Sequence, residues 1–111
     1  MGNDCIFCKI RDGEIAGEIL YRDNHCFVIR DIAPQAPLHL LVIPNIHFTF
    51  LSDLTSEKHD MIGAMFSAAK EVAAGEKVDI SGYRLVINQG ANSGQIVDHL
   101  HLHLLGGQPL G

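Results

Sequence analysis

Short apolar stretches along the chain predict five β-strands. Each stretch is rich in aliphatic and β-branched residues and ends at glycine, proline or a polar turn former, the residues that typically end strands. The first two flank the turn formers Asp23 and Asn24, a pattern typical of a β-hairpin. Pro34 and Pro37 predict an extended loop before the third strand. The predicted strands cover residues 19–21, 26–30, 38–43, 82–87 and 98–105.

A longer apolar stripe predicts one main helix between the third and fourth strands. Its members recur at spacings of three and four, which places them on one helical face: Met61, Ile62, Met65, Phe66, Ala69, Val72 and Ala73. Asp53 or Thr55 is the predicted N-cap, and Gly75 the predicted stop. Residues 5–11 predict a short N-terminal helix of one or two turns. Because short turns join the strands and the helices lie outside their order, we expect an α+β fold with a five-stranded, mostly antiparallel sheet.

Length and composition narrow the class of protein. A chain of 111 residues predicts a single domain over 1–111, and 47% hydrophobic residues exclude a disordered chain. The net charge of −5 argues against a nucleic-acid-binding surface, which is normally basic. We find neither an apolar run of the roughly 20 residues that a membrane helix needs nor the basic and apolar regions of a secretory signal. We therefore expect a soluble, cytoplasmic protein with no membrane or nucleic-acid partner.

The fifth predicted strand carries the unusual chemistry. Residues 99–104 alternate between histidine and leucine, so three imidazoles share one face of the strand and three leucines the other. A half-buried strand ordinarily carries Lys, Thr, Glu or Ser on its polar face, so repeated histidine favours a chemistry that imidazole supplies. Metal binding, general acid–base catalysis and nucleophilic attack on phosphorus all remain open. A solvated amphipathic strand is the plainer alternative.

The cysteines predict a metal or redox pair and one buried thiol. Three cysteines do not make a disulfide framework. Cys5 and Cys8, with two residues between them, supply half of a tetrahedral zinc site, whereas a metal-free reduced pair would only pack the N-terminal turn. A thioredoxin-like redox pair needs a βαβ context, which the predicted strands do not provide. Cys26 lies in an apolar stretch, so we expect it to be a small buried side chain.

Five sequence blocks together carry a family resemblance. Residues 99–105 (HLHLHLL) resemble the signature of the histidine triad (HIT) superfamily of nucleotide hydrolases and transferases. Four earlier blocks resemble its Hint branch in the expected order: residues 5–10 (CIFCKI), 31–37 (DIAPQAP), 39–44 (HLLVIP) and 88–90 (NQG). The resemblance covers roughly residues 5–107, nearly the whole chain, and implies the HIT fold.

The resemblance implies roles for four histidines. His101 matches the residue that attacks the α-phosphorus and forms a nucleotidyl-histidine intermediate. His103 matches the residue that bonds the phosphate oxygens or the leaving group, and His39 matches a histidine that supports the proton network. His99 matches an orienting residue. Taken alone, His39 in an apolar strand is more typical of a hydrogen-bonded core histidine.

The resemblance also implies substrate contacts. Asp31 matches the carboxylate that accepts hydrogen bonds from the ribose hydroxyls, a task that suits a carboxylate. Ile32, with Phe7, Phe27 and Leu41, is a candidate wall of the base pocket, although such side chains are ordinarily core. The phosphate-side contacts match Asn88, Gly94, Gln95 and Ile96. Ile96 departs from the serine that many Hint-like members carry, and an isoleucine side chain donates no hydrogen bond. Asp31 and Asn88 are, by residue type alone, equally typical of turn formers.

A zinc-containing subset of the superfamily resembles this chain. Its metal ligands match Cys5, Cys8, His47 and His99. Four protein ligands leave no open coordination position, so the implied Zn²⁺ is structural. No organic cofactor is implied. The resemblance further implies a homodimer whose sheet continues across the subunits.

The function implied is hydrolysis of nucleoside 5′-monophosphate derivatives, with purine nucleoside phosphoramidates favoured. A dinucleoside polyphosphate hydrolase of the same superfamily is the alternative enzyme. Two other classes remain: a nucleotide-binding or zinc-dependent interaction module with negligible turnover, and a metal carrier that uses the histidine row. A carrier predicts metal loss when His101 and His103 are changed, whereas the enzyme predicts loss only when a residue such as Cys5 is changed.

Overall fold

The computed structural model describes residues 4–111. Met1, Gly2 and Asn3, part of the N-terminus in which we find no secretory signal, lie outside the described residues. The two helices are α1 (Ile6–Arg11) and α2 (His59–Gly75). The strands are β1 (Ile19–Arg22), β2 (Cys26–Arg30), β3 (Leu38–Pro44), β4 (Tyr83–Val86) and β5 (Leu102–Gly106). Within residues 4–111, no helix combines the length and the apolar character needed to cross a membrane.

The five strands form one sheet in the order β1-β2-β3-β5-β4, and every neighbouring pair is antiparallel. This confirms the predicted α+β class. The β1–β2 hairpin forms as predicted, because the Asp23 carboxylate accepts hydrogen bonds from the backbone N–H groups of His25 and Cys26 and so fixes the turn. β5 inserts between β3 and β4, so the histidine-bearing strand lies inside the sheet and not at its edge.

The sheet separates two hydrophobic clusters. The larger contains the buried face of α2, the strand residues that point toward it, such as Leu102 and Leu104, and Leu100 just before β5. The smaller packs α1 against the opposite face, with Phe7, Ile10, Phe27, Ile29, Leu41 and Ile43. Since side chains alternate along a strand, the histidines at 99, 101 and 103 lie on the α1 side of the sheet. Leucine burial on the opposite face is thus what positions the imidazoles.

The fifth strand is shorter than predicted at its beginning, because it starts at Leu102 and not at residue 98. The ladder with β3 ends at the pair Val42–Leu102. Beyond it the backbone N–H of Leu100 donates to the carbonyl of Phe48 at 2.7 Å, and the carbonyl of Pro44 is occupied by the His99 side chain. The histidine–leucine alternation continues through this segment, although its partners are no longer those of a strand.

The main helix also differs from its prediction at the N-terminus. It begins at His59, after two short 3₁₀ turns at Leu51–Asp53 and Ser56–Lys58, so neither Asp53 nor Thr55 caps it. Its end at Gly75 is as predicted. The apolar stripe is buried except at Phe66, which is 46% exposed, and Ile62, which is half-buried. Ala68, which is not part of the predicted stripe, is also buried. The helix face against the sheet therefore includes more small residues than predicted.

Candidate functional site

Three histidines meet on the α1 side of the sheet. His39 lies in β3 and His103 in β5, while His101 immediately precedes β5. The His103 ring lies 5.2 Å from the His39 ring and 4.9 Å from the His101 ring, measured between centroids. The Phe7 ring of α1 meets the edge of His101 at 5.1 Å. The sheet and α1 thus hold a continuous row of imidazoles.

A backbone hydrogen bond determines the tautomer of His39. The backbone N–H of Gln35 donates to His39 Nδ1 at 3.0 Å, so Nδ1 carries a lone pair and the proton of the neutral ring is on Nε2. His39 Nε2–H then donates to His103 Nδ1 at 2.9 Å. The proton of neutral His103 is therefore on Nε2, the ring atom turned away from His39. His103 is set up to donate a hydrogen bond through that atom.

His101 has the opposite tautomer. Its Nδ1 lies 2.8 Å from the carbonyl oxygen of His99, and a carbonyl only accepts, so Nδ1 carries the proton. Nε2 of the neutral ring therefore holds the lone pair. A lone pair on His101 Nε2 therefore lies next to an N–H donor on His103. Phosphoryl transfer needs both groups, because a nucleophile attacks the phosphorus and an acid donates a proton to the leaving group.

Burial keeps His103 neutral near pH 7. Desolvation lowers the pKa of His103 to about 4, and the adjacent imidazoles of His101 and His39 act in the same direction. The Asp31 carboxylate acts against them. A neutral His103 retains a free acceptor at Nδ1 for the His39 proton, consistent with the geometry of the pair.

Four side chains beside the N-terminus of α1 form a candidate metal site. Cys5 Sγ lies 3.2 Å from His99 Nδ1, and Cys8 Sγ lies 3.3 Å from His47 Nδ1 and 3.6 Å from His99 Nδ1. All four ligand atoms lie within 4.8 Å of one another. A tetrahedral Zn²⁺ with ordinary Zn–S and Zn–N bonds separates sulfur and nitrogen by about 3.5 Å. The donor set and its spacing therefore fit a four-coordinate metal.

The protonation of His99 also fits metal binding. His99 Nε2 lies 2.9 Å from the carbonyl of Pro44 and so carries the proton, which leaves the Nδ1 lone pair directed at the two cysteines. Burial lowers the pKa of His99 to about 4, so the ring is neutral near pH 7. The pKa of the Cys5 thiol is raised, chiefly by burial. A cation would supply the charge that stabilises the thiolates.

His99 joins the two groups of histidines. Its side chain belongs to the Cys5–Cys8–His47 cluster, while its backbone carbonyl accepts the Nδ1–H bond of His101. The Phe7 ring contacts both residues, at 5.8 Å from His99 and 5.1 Å from His101. Whatever fixes His99 thereby also fixes the orientation of His101.

A second group of potential ligand atoms, on Asp31, His39 and His103, is less suited to a metal. These atoms also lie within 4.8 Å of one another. Because His39 Nδ1 accepts the Gln35 N–H bond, the proton of the neutral ring occupies Nε2, the nitrogen that would have to bind the metal. Hydrogen bonding thus explains this cluster without an ion.

The predicted substrate residues fall into two groups. Asp31 lies beside the imidazole row: its Oδ1 accepts from the N–H of Ala33 at 2.8 Å, and its Oδ2 is 3.4 Å from His39 Nε2. Ile32 is 96% exposed, whereas Phe7, Phe27 and Leu41 are buried together in the smaller core. The structure does not bring these four apolar residues together as a pocket, because three of them are needed to pack α1 on the sheet.

The predicted phosphate-side residues belong to a loop closed by its own hydrogen bonds. The Asn88 amide donates to the carbonyl of Ser93 at 2.8 Å, and Gln95 Oε1 accepts from the N–H of Gly90 at 2.8 Å. Gly94 has φ 83°, a conformation that glycine adopts without strain. Ile96 is 90% exposed and lines a depression of about 470 Å³ together with Cys5 and His47. Ile96 thus shares this depression with two of the four candidate metal ligands.

Comparison with known proteins identifies the family. The HIT domain family matches residues 12–110. The chain belongs to the HIT family. It is 43% identical to the purine nucleoside phosphoramidase of Escherichia coli K12 over 111 residues, which are 100% of this chain and 93% of that protein.

Solved structures of HIT family hydrolases share the fold. The hydrolase from Legionella pneumophila superposes with a TM-score of 0.93 at 41% identity, covering 97% of this chain and 96% of that one. The hydrolase from Clostridium thermocellum has a TM-score of 0.95 at 38% identity and covers 100% of this chain and 96% of that one. The five-stranded HIT sheet predicted from the sequence is confirmed.

The HIT domain match begins after the cysteine pair, so Cys5 and Cys8 lie outside it. The groups that fix the imidazoles were also missing from the sequence prediction. They are the Gln35 N–H, the carbonyls of Pro44 and His99, and the Phe7 ring. Three of these four are backbone atoms, which have no residue-type signature. Only Phe7, one residue before Cys8, could have been found from its position in the chain.

Proposed function

We propose that this HIT family chain hydrolyses nucleoside 5′-monophosphate derivatives, with purine nucleoside phosphoramidates as the favoured substrates. The observation that carries the proposal is the bond from His101 Nδ1–H to the carbonyl of His99, which leaves the Nε2 lone pair available as a nucleophile. The 43% identity to a purine nucleoside phosphoramidase over the full chain supports the substrate class.

In the first step, His101 Nε2 attacks the α-phosphorus. A P–N bond to His101 forms, and the substrate's P–N bond breaks with its electron pair remaining on the leaving amine. The amine takes a proton from His103 Nε2, so His103 must hold one proton more than its neutral form for this step. Proton and electron pair leave together as the neutral amine, and a nucleotidyl-His101 intermediate remains.

In the second step, water replaces His101. A water oxygen attacks the phosphorus, and its proton passes to His103 Nε2, which has just become an acceptor. The P–N bond to His101 breaks, returning the lone pair to Nε2 and releasing the nucleoside monophosphate. His101 and His103 are then in their starting states, so the cycle balances without a metal or an organic cofactor taking part.

The remaining predicted residues position the substrate in this proposal. Asp31 accepts from the ribose hydroxyls. Asn88 and the backbone of residues 94–96 contact the phosphate side. Ile32, exposed next to Asp31, covers the base once it is bound. These assignments rest on the family resemblance; the position of Asp31 beside the imidazole row adds support from geometry.

A structural Zn²⁺ held by Cys5, Cys8, His47 and His99 is part of the proposal. When bound, it supplies four-ligand coordination that ties α1 to the histidine segment and leaves no open site for substrate. His99 then presents its carbonyl to His101 in one orientation. The closeness of the four ligand atoms supports this role.

We further propose one HIT domain over residues 1–111, a homodimer and a cytoplasmic location. β4 forms an edge of the sheet, and its exposed backbone edge would allow the sheet to continue into a second copy.

A direct kinetic comparison tests the proposed reaction. We expect kcat/KM for adenosine 5′-phosphoramidate to exceed that for a diadenosine polyphosphate by more than tenfold. We expect His101→Ala to lower it on the order of 10⁵-fold, the scale of losing a catalytic nucleophile. His25→Ala, which removes an exposed histidine, is the matched control and should leave the rate unchanged. A reversed substrate preference would favour the dinucleoside polyphosphate hydrolase.

A further inference from the structure

Asp31 is placed to interact with the histidine pair as well as with a substrate. Its backbone N–H donates to the carbonyl of His39 at 3.0 Å, and the N–H of Ala33 holds Oδ1 at 2.8 Å. These two bonds aim the second oxygen, Oδ2, at His39 Nε2, 3.4 Å away. The side chains are 19% and 2% exposed, so solvent screens their interaction only weakly.

His39 Nε2–H therefore has two possible acceptors. In the neutral pair it donates to His103 Nδ1 at 2.9 Å. The proposed first step needs a His103 that is protonated on both nitrogens. Two N–H groups would then face each other across that distance, and Asp31 Oδ2 is the nearby acceptor able to relieve the clash.

The charged groups around the His39–His103 pair also favour a role for Asp31. Among residues 4–111, the titratable side chains in contact with this pair are Asp31, directly after β2, and His101, directly before β5. Burial, and positive charge on the adjacent His101 or His39, disfavour an additional proton on His103, whereas the Asp31 carboxylate favours it. Asp31 is thus the counter-ion for a proton shared by the two rings.

We propose that Asp31 is a positioning residue of the reaction, whose Oδ2 holds the additional proton on the His39–His103 pair. That the reaction uses this proton rests on the proposed function, whereas the contact between Asp31 and His39 does not. It is separate from a ribose contact, because the ribose contact acts on the substrate and this one acts on His103 through His39.

Removing the ribose hydroxyls from the substrate separates the two roles. Asp31→Asn retains an Oδ1 that accepts from Ala33 and eliminates the charge. On adenosine 5′-phosphoramidate it would affect both roles, but on the 2′,3′-dideoxy analogue only the effect on the histidine pair remains. Asp79→Asn, which removes an exposed carboxylate before β4, is the control for a general charge effect.

The first measurement is a ¹⁵N NMR titration of the histidine rings in free protein, which needs no turnover. We expect Asp31→Asn to lower the apparent pKa of the His39–His103 pair by about one unit, as loss of a neighbouring opposite charge does. Asp79→Asn should leave it unchanged. An unchanged titration in Asp31→Asn overturns the proposal, whether or not the protein is a phosphoramidase.

The second measurement is the pH profile of kcat on the dideoxy substrate. We expect Asp31→Asn to lower kcat at pH 7 about tenfold and to move the alkaline limb to lower pH, because the pair loses its proton earlier. A wild-type profile on this substrate, with loss only of the preference for the ribose form, would mean that Asp31 is a ribose ligand alone and would also overturn the proposal. Absence of turnover in wild type would count against the proposed function and leave the NMR test intact.

Discussion

At the scale of single residues, the burial of His103 links stability to pH. Its pKa in the folded protein, about 4, lies below the ordinary value of 6.5, so the unfolded chain binds more protons between these values. The contribution of a neutral His103 to stability is complete above pH 6.5 and is lost as the pH falls toward 4. The protein should therefore lose stability across this acidic window.

His103→Asn tests this linkage, because the asparagine Oδ1 can still accept from His39. As the pH is lowered, we expect the free energy of unfolding of wild type to fall more steeply than that of the variant. The two slopes should differ by about 1 kcal/mol per pH unit near pH 5. Urea unfolding at pH 7, 6 and 5 with the metal content held equal measures both slopes. Parallel slopes would show that His103 titrates normally.

Residue types predicted much of the candidate site, and backbone atoms determined the rest. The alternation of histidine with leucine predicted which side chains share a face, because strand geometry fixes that relation. It did not predict which ring nitrogen of His101 carries a proton, since that depends on the His99 carbonyl. Nor did it predict that Ile32 would be exposed and apart from Phe7, which α1 requires for packing.

At the scale of elements, α1 is expected to depend on metal. Its N-cap is Cys5, and Cys8 lies within it, so the metal would connect this six-residue helix to the histidine segment. A helix this short has little stability of its own. The three cysteines provide a matched comparison, because Cys26 is fully buried in the other core.

We expect wild type to hold one Zn²⁺ per chain, Cys8→Ser to hold none, and Cys26→Ala to retain it. His101→Ala should also retain it, which separates a structural site from a metal carrier that uses the histidine row. Elemental analysis after dialysis against a weak chelator measures each variant. Zinc retained by Cys8→Ser, or lost from His101→Ala, would contradict the ligand assignment.

Local periodicity predicted the interiors of elements better than their ends. The stop at Gly75 and the stripe apart from Phe66 and Ile62 were correct. The start was misplaced, because the chain forms two 3₁₀ turns before His59. The fifth strand was predicted too early for a similar reason. Residues before Leu102 keep the alternating pattern, while their hydrogen bonds go to the Phe48 carbonyl and to a side-chain cluster that a sequence pattern does not reveal.

At the scale of the whole molecule, the edge strand β4 makes the proposed dimer testable. Tyr83 begins this strand and is exposed. We expect wild type to sediment at about twice the mass of one 12.1 kDa chain and Tyr83→Lys to sediment as a monomer, because an edge charge opposes strand pairing. Ile15→Lys changes an exposed apolar residue outside the strands and is the control. A monomeric wild type would contradict the proposed assembly.

The fold class followed from the order of elements, but the position of β5 between β3 and β4 did not. The turn formers between the first two strands predicted the β1–β2 pair, and no other strand pair was predicted. The insertion of β5 pairs it with β3 residues at least 60 positions away, such as His103 with Leu41, and composition carries no signal for such a pairing. That long-range pairing brings His39 to His103 and so creates the site.

Intact-protein mass spectrometry after brief mixing with adenosine 5′-phosphoramidate tests the central claim most directly. The quench must be alkaline, since phosphoramidate-type histidine bonds survive there. We predict an added adenylyl group on wild type and on His25→Ala, and none on His101→Ala. Folded wild type that binds AMP yet forms no adduct and releases no AMP would contradict covalent catalysis and favour a nucleotide-binding module.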